Sequence, residues 1–327
     1  MERVLRDSRV LVTGGAGFIG SNLVESLLDS NNYVVCLDNF STGKRENLKN
    51  FINNPAFNLI EGDIRNYDDC LKAVKGIDIV FHQAALGSVP RSIKDPVSST
   101  DVNIGGFVKI LFAAKESSVK RFVYAASSSP SGDLPDLPKV EDKIGSPLSP
   151  YAITKYVDEL FADNFAKTYG IETIGLRYFN VFGRWQDPDG PYAAVIPKFV
   201  KLLKEHKSPV INGDGTFSRD FTYIDNVLQA NQVAAIVKDK RAVNQLYNVA
   251  HGERTSLNQL FMLIRASMGR YDKDILSIEP VYGPERAGDV PHSQASIEKA
   301  KLLLGYYPSH SVKEGLNEAV EWFMKNL

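Results

Sequence analysis

Two side chains four residues apart carry the first suggestion of chemistry in this chain. Tyr151 and Lys155, in Tyr151-Ala152-Ile153-Thr154-Lys155, share one face of any helix they belong to. An ammonium one turn from a phenol favours the phenolate, so the pair could take a proton from an alcohol and give it back. A Tyr and a Lys at this spacing are expected about once by chance in a chain of this composition, and a surface pair is the bland alternative. Context adds weight. The pair opens a predicted helix soon after a strand ending in Ser127-Ser128-Ser129, and ligands of parallel sheets bind beyond the carboxyl ends of the strands. Ser127 could hydrogen-bond the reacting hydroxyl.

A second constellation lies at the chain start. Val10-Leu11-Val12-Thr13 leads into Gly14-Gly15-Ala16-Gly17-Phe18-Ile19-Gly20, with a helix predicted over Ser21–Leu28. Gly14, Gly17 and Gly20 suit a tight turn, a close approach of backbone to a pyrophosphate, and packing of helix on strand. The helix N-terminus would then offer free N–H groups and a positive dipole end to phosphates. Glycines at this spacing can also be a plain turn, but here strand, glycines and helix follow in order. The next strand ends in Cys36-Leu37-Asp38-Asn39. That places an acid roughly 24 residues after Gly14, near the ~20 expected of a carboxylate that binds the adenosine ribose. Asp38 would repel a 2′-phosphate, which favours NAD over NADP.

These groups need elements to hold them. Short apolar runs at Arg9–Val12, Tyr33–Leu37, Asn58–Glu61, Ile77–His82, Arg121–Ala125 and Thr173–Tyr178 alternate with amphipathic stretches. That texture predicts an α/β fold, a Rossmann doubly wound parallel sheet with helices on both faces. The 327 residues exceed the usual single-core size, so a smaller mixed α/β C-terminal part is expected as well. The Gly-, Pro- and Asp-rich segment Phe182–Tyr192 marks the boundary. Residues 1–181 then form the dinucleotide domain, with a return segment near 222–250, and residues 182–327 mainly a substrate domain. Beyond the boundary, helices are predicted at Ala194–Lys204, Tyr223–Val237, Ser256–Met268, Ser296–Leu303 and Val312–Lys325, and strands at Pro209–Ile211 and Gln245–Val249.

A net charge of -1 gives no general attraction to nucleic acid or anionic membrane, so any anion site must be local. Cys36 and Cys70 sit in apolar or helix-like contexts and suit a reducing cytoplasm. Residues 1–9 lack a signal-peptide pattern, and no run approaches the ~18 apolar residues of a membrane span. No metal ligand set is expected.

The motifs together carry a resemblance. Thr13–Gly20, Asp38-Asn39, Gly62-Asp63-Ile64-Arg65, His82-Gln83-Ala84-Ala85, Tyr151/Lys155 and Arg177-Tyr178-Phe179-Asn180-Val181-Phe182-Gly183 resemble the extended short-chain dehydrogenase/reductases. Over nearly the whole chain the sequence is most similar to UDP-hexose 4-epimerases, particularly those acting on UDP-N-acetylglucosamine. The resemblance implies that Phe18, Ile19, Asn39, Ser41, Gly43 and Val181 join the glycines and Asp38 around NAD. It places Asp63 and Ile64 beside the adenine, and Gln83, Ala84, Ala85 and Tyr178 along the rest of the cofactor, with Tyr151 and Lys155 at its reactive end. For a UDP-sugar it implies Ser88, Ser128, Ser129 and Asn180 near the sugar or diphosphate. Ala194, Val195, Lys198, Ile211 and Asn212 would surround the uridine, Arg219 and Arg286 the diphosphate, and Asp289 the uridine ribose. Two arginines in polar loops are what a diphosphate needs in a chain of near-zero charge, although either alone could be a surface ion pair. Ser293 matches a gatekeeper that is Tyr in epimerases restricted to non-acetylated hexoses. A homodimer is implied, through helices near Gly105–Glu116 and Pro150–Lys167.

One stretch departs from the family pattern: Ser129-Pro130-Ser131-Gly132-Asp133 has Pro and Ser where a Thr or Val and a Tyr are usual. Pro130 fixes φ and removes a donor, so a differently shaped loop is expected after the serines. Two competing readings remain at this level. A sugar-nucleotide dehydratase or decarboxylase would share the first oxidation, though a dehydratase needs an Asp-Glu pair where this chain has Ser128-Ser129. A non-catalytic NAD-binding protein would have no use for Tyr151 and Lys155.

Overall fold

The computed structural model describes residues 4–189, 193–285 and 290–327. Six strands follow the expected runs: β1 (Arg9–Thr13), β2 (Tyr33–Asp38), β3 (Phe57–Glu61), β4 (Ile79–His82), β5 (Arg121–Ser127) and β6 (Glu172–Tyr178). A seventh, Gln245–Val249, joins them from late in the chain. Their spatial order is Gln245–Val249, β6, β5, β4, β1, β2, β3, with every neighbouring pair parallel. The order reverses between β1 and β4, and the crevice beyond their carboxyl ends is where doubly wound sheets bind ligands.

Strand periodicity divides the core. Val10, Val12, Val34, Cys36, Ile79, Phe81 and Val123 face one side with Leu23, Val24 and Leu27 of helix α1 (Phe18–Asp29) and with the helix Ile224–Ile236. Leu11, Val35, Leu37, Val80, Phe122 and Tyr124 face the other side, with the helices Phe107–Glu116 and Pro150–Tyr169. Successive strand residues point to opposite faces, so a strand buried on both sides reads as an unbroken apolar run.

Helix α1 begins three residues earlier than its apolar pattern indicates, because Gly17 occupies the N-cap and Gly20 is helical despite its poor propensity. The helix Pro150–Tyr169 opens as capping rules require: the Ser149 side chain accepts from the Ala152 N–H, Pro150 fills the first turn, and Gly170 closes the helix at φ +73°. In the C-terminal part, helices Val195–Lys204, Leu257–Met268 and Val312–Asn326 pack on one another. Their apolar residues continue the first core cluster. Three two-stranded ribbons complete this part, pairing Val181–Phe182 with Thr222–Tyr223, Ser218–Arg219 with Thr255–Ser256, and Val210–Asn212 with Val281–Gly283. Among the described residues no helix is long and apolar enough to cross a membrane.

Candidate active site

A cleft of about 640 Å³ opens along the carboxyl ends of the central strands. At one end lies the glycine turn. Gly14 has φ +69°, and a Cβ there would lie 2.7 Å from the backbone of Ala84, so only glycine lets the turn pass β4 at this distance. Gly17 donates to the Gly14 carbonyl at 3.1 Å, and α1 has no side-chain cap at its N-terminus. The first amides of α1 therefore face the cleft without an intrahelical acceptor. The Asp38 carboxylate accepts from the Ala16 N–H at 2.9 Å and the Phe40 N–H at 2.8 Å. Burial raises its pKa, with these two bonds acting in the opposite direction.

Of the residues expected around the dinucleotide, Gly14, Gly17, Phe18, Ile19, Gly20, Asp38, Asn39, Ser41, Ile64, Gln83, Ala84, Ala85, Tyr178 and Val181 line this one cleft. Gly43 lies behind it, against Ala16. Asp63 is turned aside: it accepts from Asn39 at 2.8 Å and pairs with Arg65 at 2.7 Å. The Arg65 hydrogen bond is the main reason its pKa is held down to about 2. Tyr178 is fixed by the Asn231 amide at 2.9 Å and donates to Gln83 Oε1 at 3.2 Å; burial pushes its hydroxyl up to about 12.

The other end of the cleft holds Ser88, Ser127, Ser128, Tyr151, Lys155, Asn180 and Ala194. Tyr151 sits in the first turn of its helix, where the Ser92 Oγ accepts its N–H at 3.0 Å. Lys155 reaches the interior strand β5, donating to the Ala125 carbonyl at 3.0 Å, and also donates to Asp158 at 3.2 Å. On the same helix, Glu159 holds Arg177 through two bonds of 2.7 and 2.8 Å, all buried. The unusual Pro130 is accommodated in a single 3-10 turn, Ser129–Ser131. Ser127 and Ser128 stay on the cleft wall, while Ser129 turns back to bond Ser127 Oγ at 3.0 and 3.1 Å.

The remaining substrate candidates stand apart. Val195, Lys198, Ile211, Asn212, Arg219 and Ser293 are in the C-terminal part, outside the cleft lining formed by the described residues. Arg286 and Asp289 lie outside the described residues. Arg219 and Ser293 are nonetheless brought together, since the Ser293 N–H donates to the Ser218 carbonyl at 3.0 Å and Arg219 donates to Pro291 at 3.1 Å. Buried Asp220 staples this region by accepting from the N–H groups of His251, Gly252 and Ala295, and its own carbonyl accepts from Asn180 at 3.0 Å.

Sequence reasoning missed Leu86, Gly87, Arg91, Gln186 and Asp187, which also line the cleft. Ser88 caps a short helix by accepting the Arg91 N–H at 3.2 Å, and the Ser-x-Pro pattern at 88–90 was an available signal for a helix start there. Gln186 and Asp187 lie in an aperiodic loop that carried none. Asp187, on the cleft lining, pairs with Lys44 at 2.8 Å.

Comparison with known proteins agrees with this geometry. Residues 10–250 match the NAD dependent epimerase/dehydratase family. A UDP-N-acetylglucosamine 4-epimerase from Methanobrevibacter ruminantium, solved with UDP-N-acetylmuramic acid, is 39% identical, with a TM-score of 0.92 over 99% of this chain and 100% of that one. A UDP-glucose 4-epimerase from Thermotoga maritima, solved with UDP-glucose, is 37% identical, with a TM-score of 0.89 over 97% and 99%. A dTDP-glucose 4,6-dehydratase from Streptomyces venezuelae, solved with NAD, is 28% identical, with a TM-score of 0.87 over 97% of each chain. With its glycine turn, uncapped helix and strand-end aspartate in one crevice, the chain belongs to the NAD-dependent epimerase/dehydratase family.

Proposed function

We propose that this protein is a 4-epimerase that interconverts UDP-GlcNAc and UDP-GalNAc, and also UDP-Glc and UDP-Gal, through a transient 4-keto sugar. The observation carrying this reading is that Tyr151, Lys155 and Ser127 stand at one end of the cleft whose other end is formed by Asp38 and the glycine turn. NAD, when bound, supplies a hydride acceptor that is also the donor of the return step. Tyr151 takes the proton of the sugar 4″-hydroxyl and later restores it, and Ser127 holds that same oxygen. Arg219 and Arg286 anchor the diphosphate while the sugar turns over to present its other face. Ser293, a small residue, leaves room for an N-acetyl group. We assign residues 1–181 with the 222–250 return segment to cofactor binding and most of 182–327 to the UDP-sugar.

Dehydration is the weaker reading, because elimination needs a free acid and base beside the serines. Of the carboxylates that line the cleft among the described residues, Asp38 is committed to two backbone amides and Asp187 to Lys44. A homodimer fits the half-exposed Ile153 and Leu160 on the helix Pro150–Tyr169 and the neighbouring exposed Ile93 and Val97.

The test is incubation of the purified protein with UDP-GlcNAc and no added NAD. UDP-GalNAc should form without net NADH, and Tyr151→Phe should lose roughly 10²–10⁴-fold in kcat, the usual worth of a positioned acid–base group. A Tyr151→Phe protein as fast as the parent, or a protein that neither holds nor takes up a dinucleotide, overturns the reading.

A further inference from the structure

Lys155 does not meet the cleft as an isolated ammonium. Of its three donors, one goes to the Ala125 carbonyl and one to Asp158 Oδ2, which leaves one for the cleft. Asp158 is fully buried, and its second oxygen, Oδ1, has no hydrogen-bond partner. A carboxylate with an unsatisfied oxygen in such a place is costly to the fold, so burial pushes its pKa up to about 7.

The groups packed around this pair cannot do the same work. On the same helix, Glu159 is already neutralised by Arg177 of β6 through two short bonds. Tyr124 of β5, fully enclosed, has its pKa raised by burial and by the charges of Glu159 and Asp158. His82 of β4 hydrogen-bonds Thr13 at 2.8 Å, and its pKa is pushed down to about 3, first by burial and then by Lys155, so it stays neutral. Glu141 accepts the Asn248 N–H at 2.8 Å and lies beyond Arg177.

We propose that Asp158 is a positioning residue for Lys155: Oδ2 fixes the direction of the ammonium, and the carboxylate charge offsets part of its pull on the Tyr151 phenolate. This rests on the reading of Tyr151 as the acid–base group. The two roles separate by substitution. Asp158→Asn keeps an acceptor for Lys155 but removes the charge, so the potential at Tyr151 becomes more positive and its phenolate persists to lower pH. Asp158→Leu removes the acceptor as well, and Lys155 loses its direction.

The experiment is the pH dependence of kcat and KM for epimerisation between pH 5 and 9, with thermal melts of each variant. The acid limb of kcat is expected above pH 7, where Asp158 is ionised, and in Asp158→Asn it should move down by on the order of one pH unit; a parental limb below pH 7 overturns the proposal. Asp158→Leu should lose about tenfold or more in kcat, with KM changed far less. Asp158→Glu, which restores the charge, should return the limb toward its parental position, and it keeps the proposal testable should either other variant fail to fold. A Glu variant whose limb moves down as the Asn limb is expected to, or Asn and Leu profiles that superimpose on the parent, overturns the proposal. If Tyr151→Phe is inactive while the Asp158 profiles stay parental, only this inference fails; if Tyr151→Phe is fully active, the assignment of Tyr151 fails first.

Discussion

The glycines of the first turn differ sharply in what an added methyl would meet, and this yields a prediction that separates folding from cofactor binding. A Cβ on Gly20 would lie 2.0 Å from the Gly14 carbonyl oxygen and 2.8 Å from both Gly14 C and Gly15 Cα. All three are backbone atoms of the turn that seats α1 on the sheet, so none can swing away. Alanine would gain about 1 kcal/mol in helix propensity, but overpacking against fixed backbone costs about 1–3 kcal/mol or more. At so short a contact the clash wins, and Gly20→Ala should lose about 2 kcal/mol of stability. A Cβ on Gly17 meets nothing closer than the Gly14 oxygen at 3.2 Å. Its cost is mainly that of Ala at an N-cap, about 0.5–1 kcal/mol. Gly17 lines the cleft, so there the methyl should intrude on the space proposed for the pyrophosphate. Urea unfolding of the NAD-free proteins, with NAD titration of each, makes the comparison. Gly20→Ala should unfold at clearly lower urea, whereas Gly17→Ala should stay near the parent yet bind NAD about tenfold or more weakly. A Gly20→Ala protein as stable as the parent, or a Gly17→Ala protein that binds NAD normally, refutes the reasoning.

Other expectations follow from single side chains. Removing the Asp38 carboxylate should weaken NAD by roughly ten- to a hundredfold, the worth of a charged hydrogen bond of about 1.5–3 kcal/mol, and relax its selection over NADP; an unchanged ratio of the two affinities counts against the ribose contact. Ser293→Tyr should depress kcat/KM for UDP-GlcNAc at least about tenfold more than for UDP-glucose, and equal losses would remove the gatekeeper role. His82 is wholly buried, with a pKa lowered from 6.5 to about 3, so the unfolded chain binds this proton first and the folded state loses stability as pH falls through that window. Relative to His82→Gln, the parent should lose about 1.4 kcal/mol per pH unit between those limits; parallel stability curves would show that the ring is not held neutral.

Much of this protein was legible in one dimension. Alternating burial on two faces leaves unbroken apolar runs, so all six early strands and the doubly wound parallel sheet could be inferred from local pattern, whereas the spatial order of the strands came from the structure. The Gly14–Gly20 turn and Asp38 were legible because a fixed covalent spacing in one βαβ unit places them together. Tyr151 and Lys155 needed the helical repeat together with their place soon after a strand ending in Ser127-Ser128-Ser129. Residues that the chain brings together over long separations were not legible. Gln186 and Asp187 carry no periodicity, and only tertiary packing, with Gln186 bonded to Val181 and Asp187 paired with Lys44, puts them on the cleft lining. The Lys155–Asp158 pair is three residues apart and readable as a surface ion pair. Its burial beneath Ala125, with one oxygen left unsatisfied, exists only once β5 and β6 cover that helix face. Local sequence sets which groups share an element, while tertiary packing sets which of them lose their water, and it is the loss of water that raises the pKa of Asp158 and lowers that of His82.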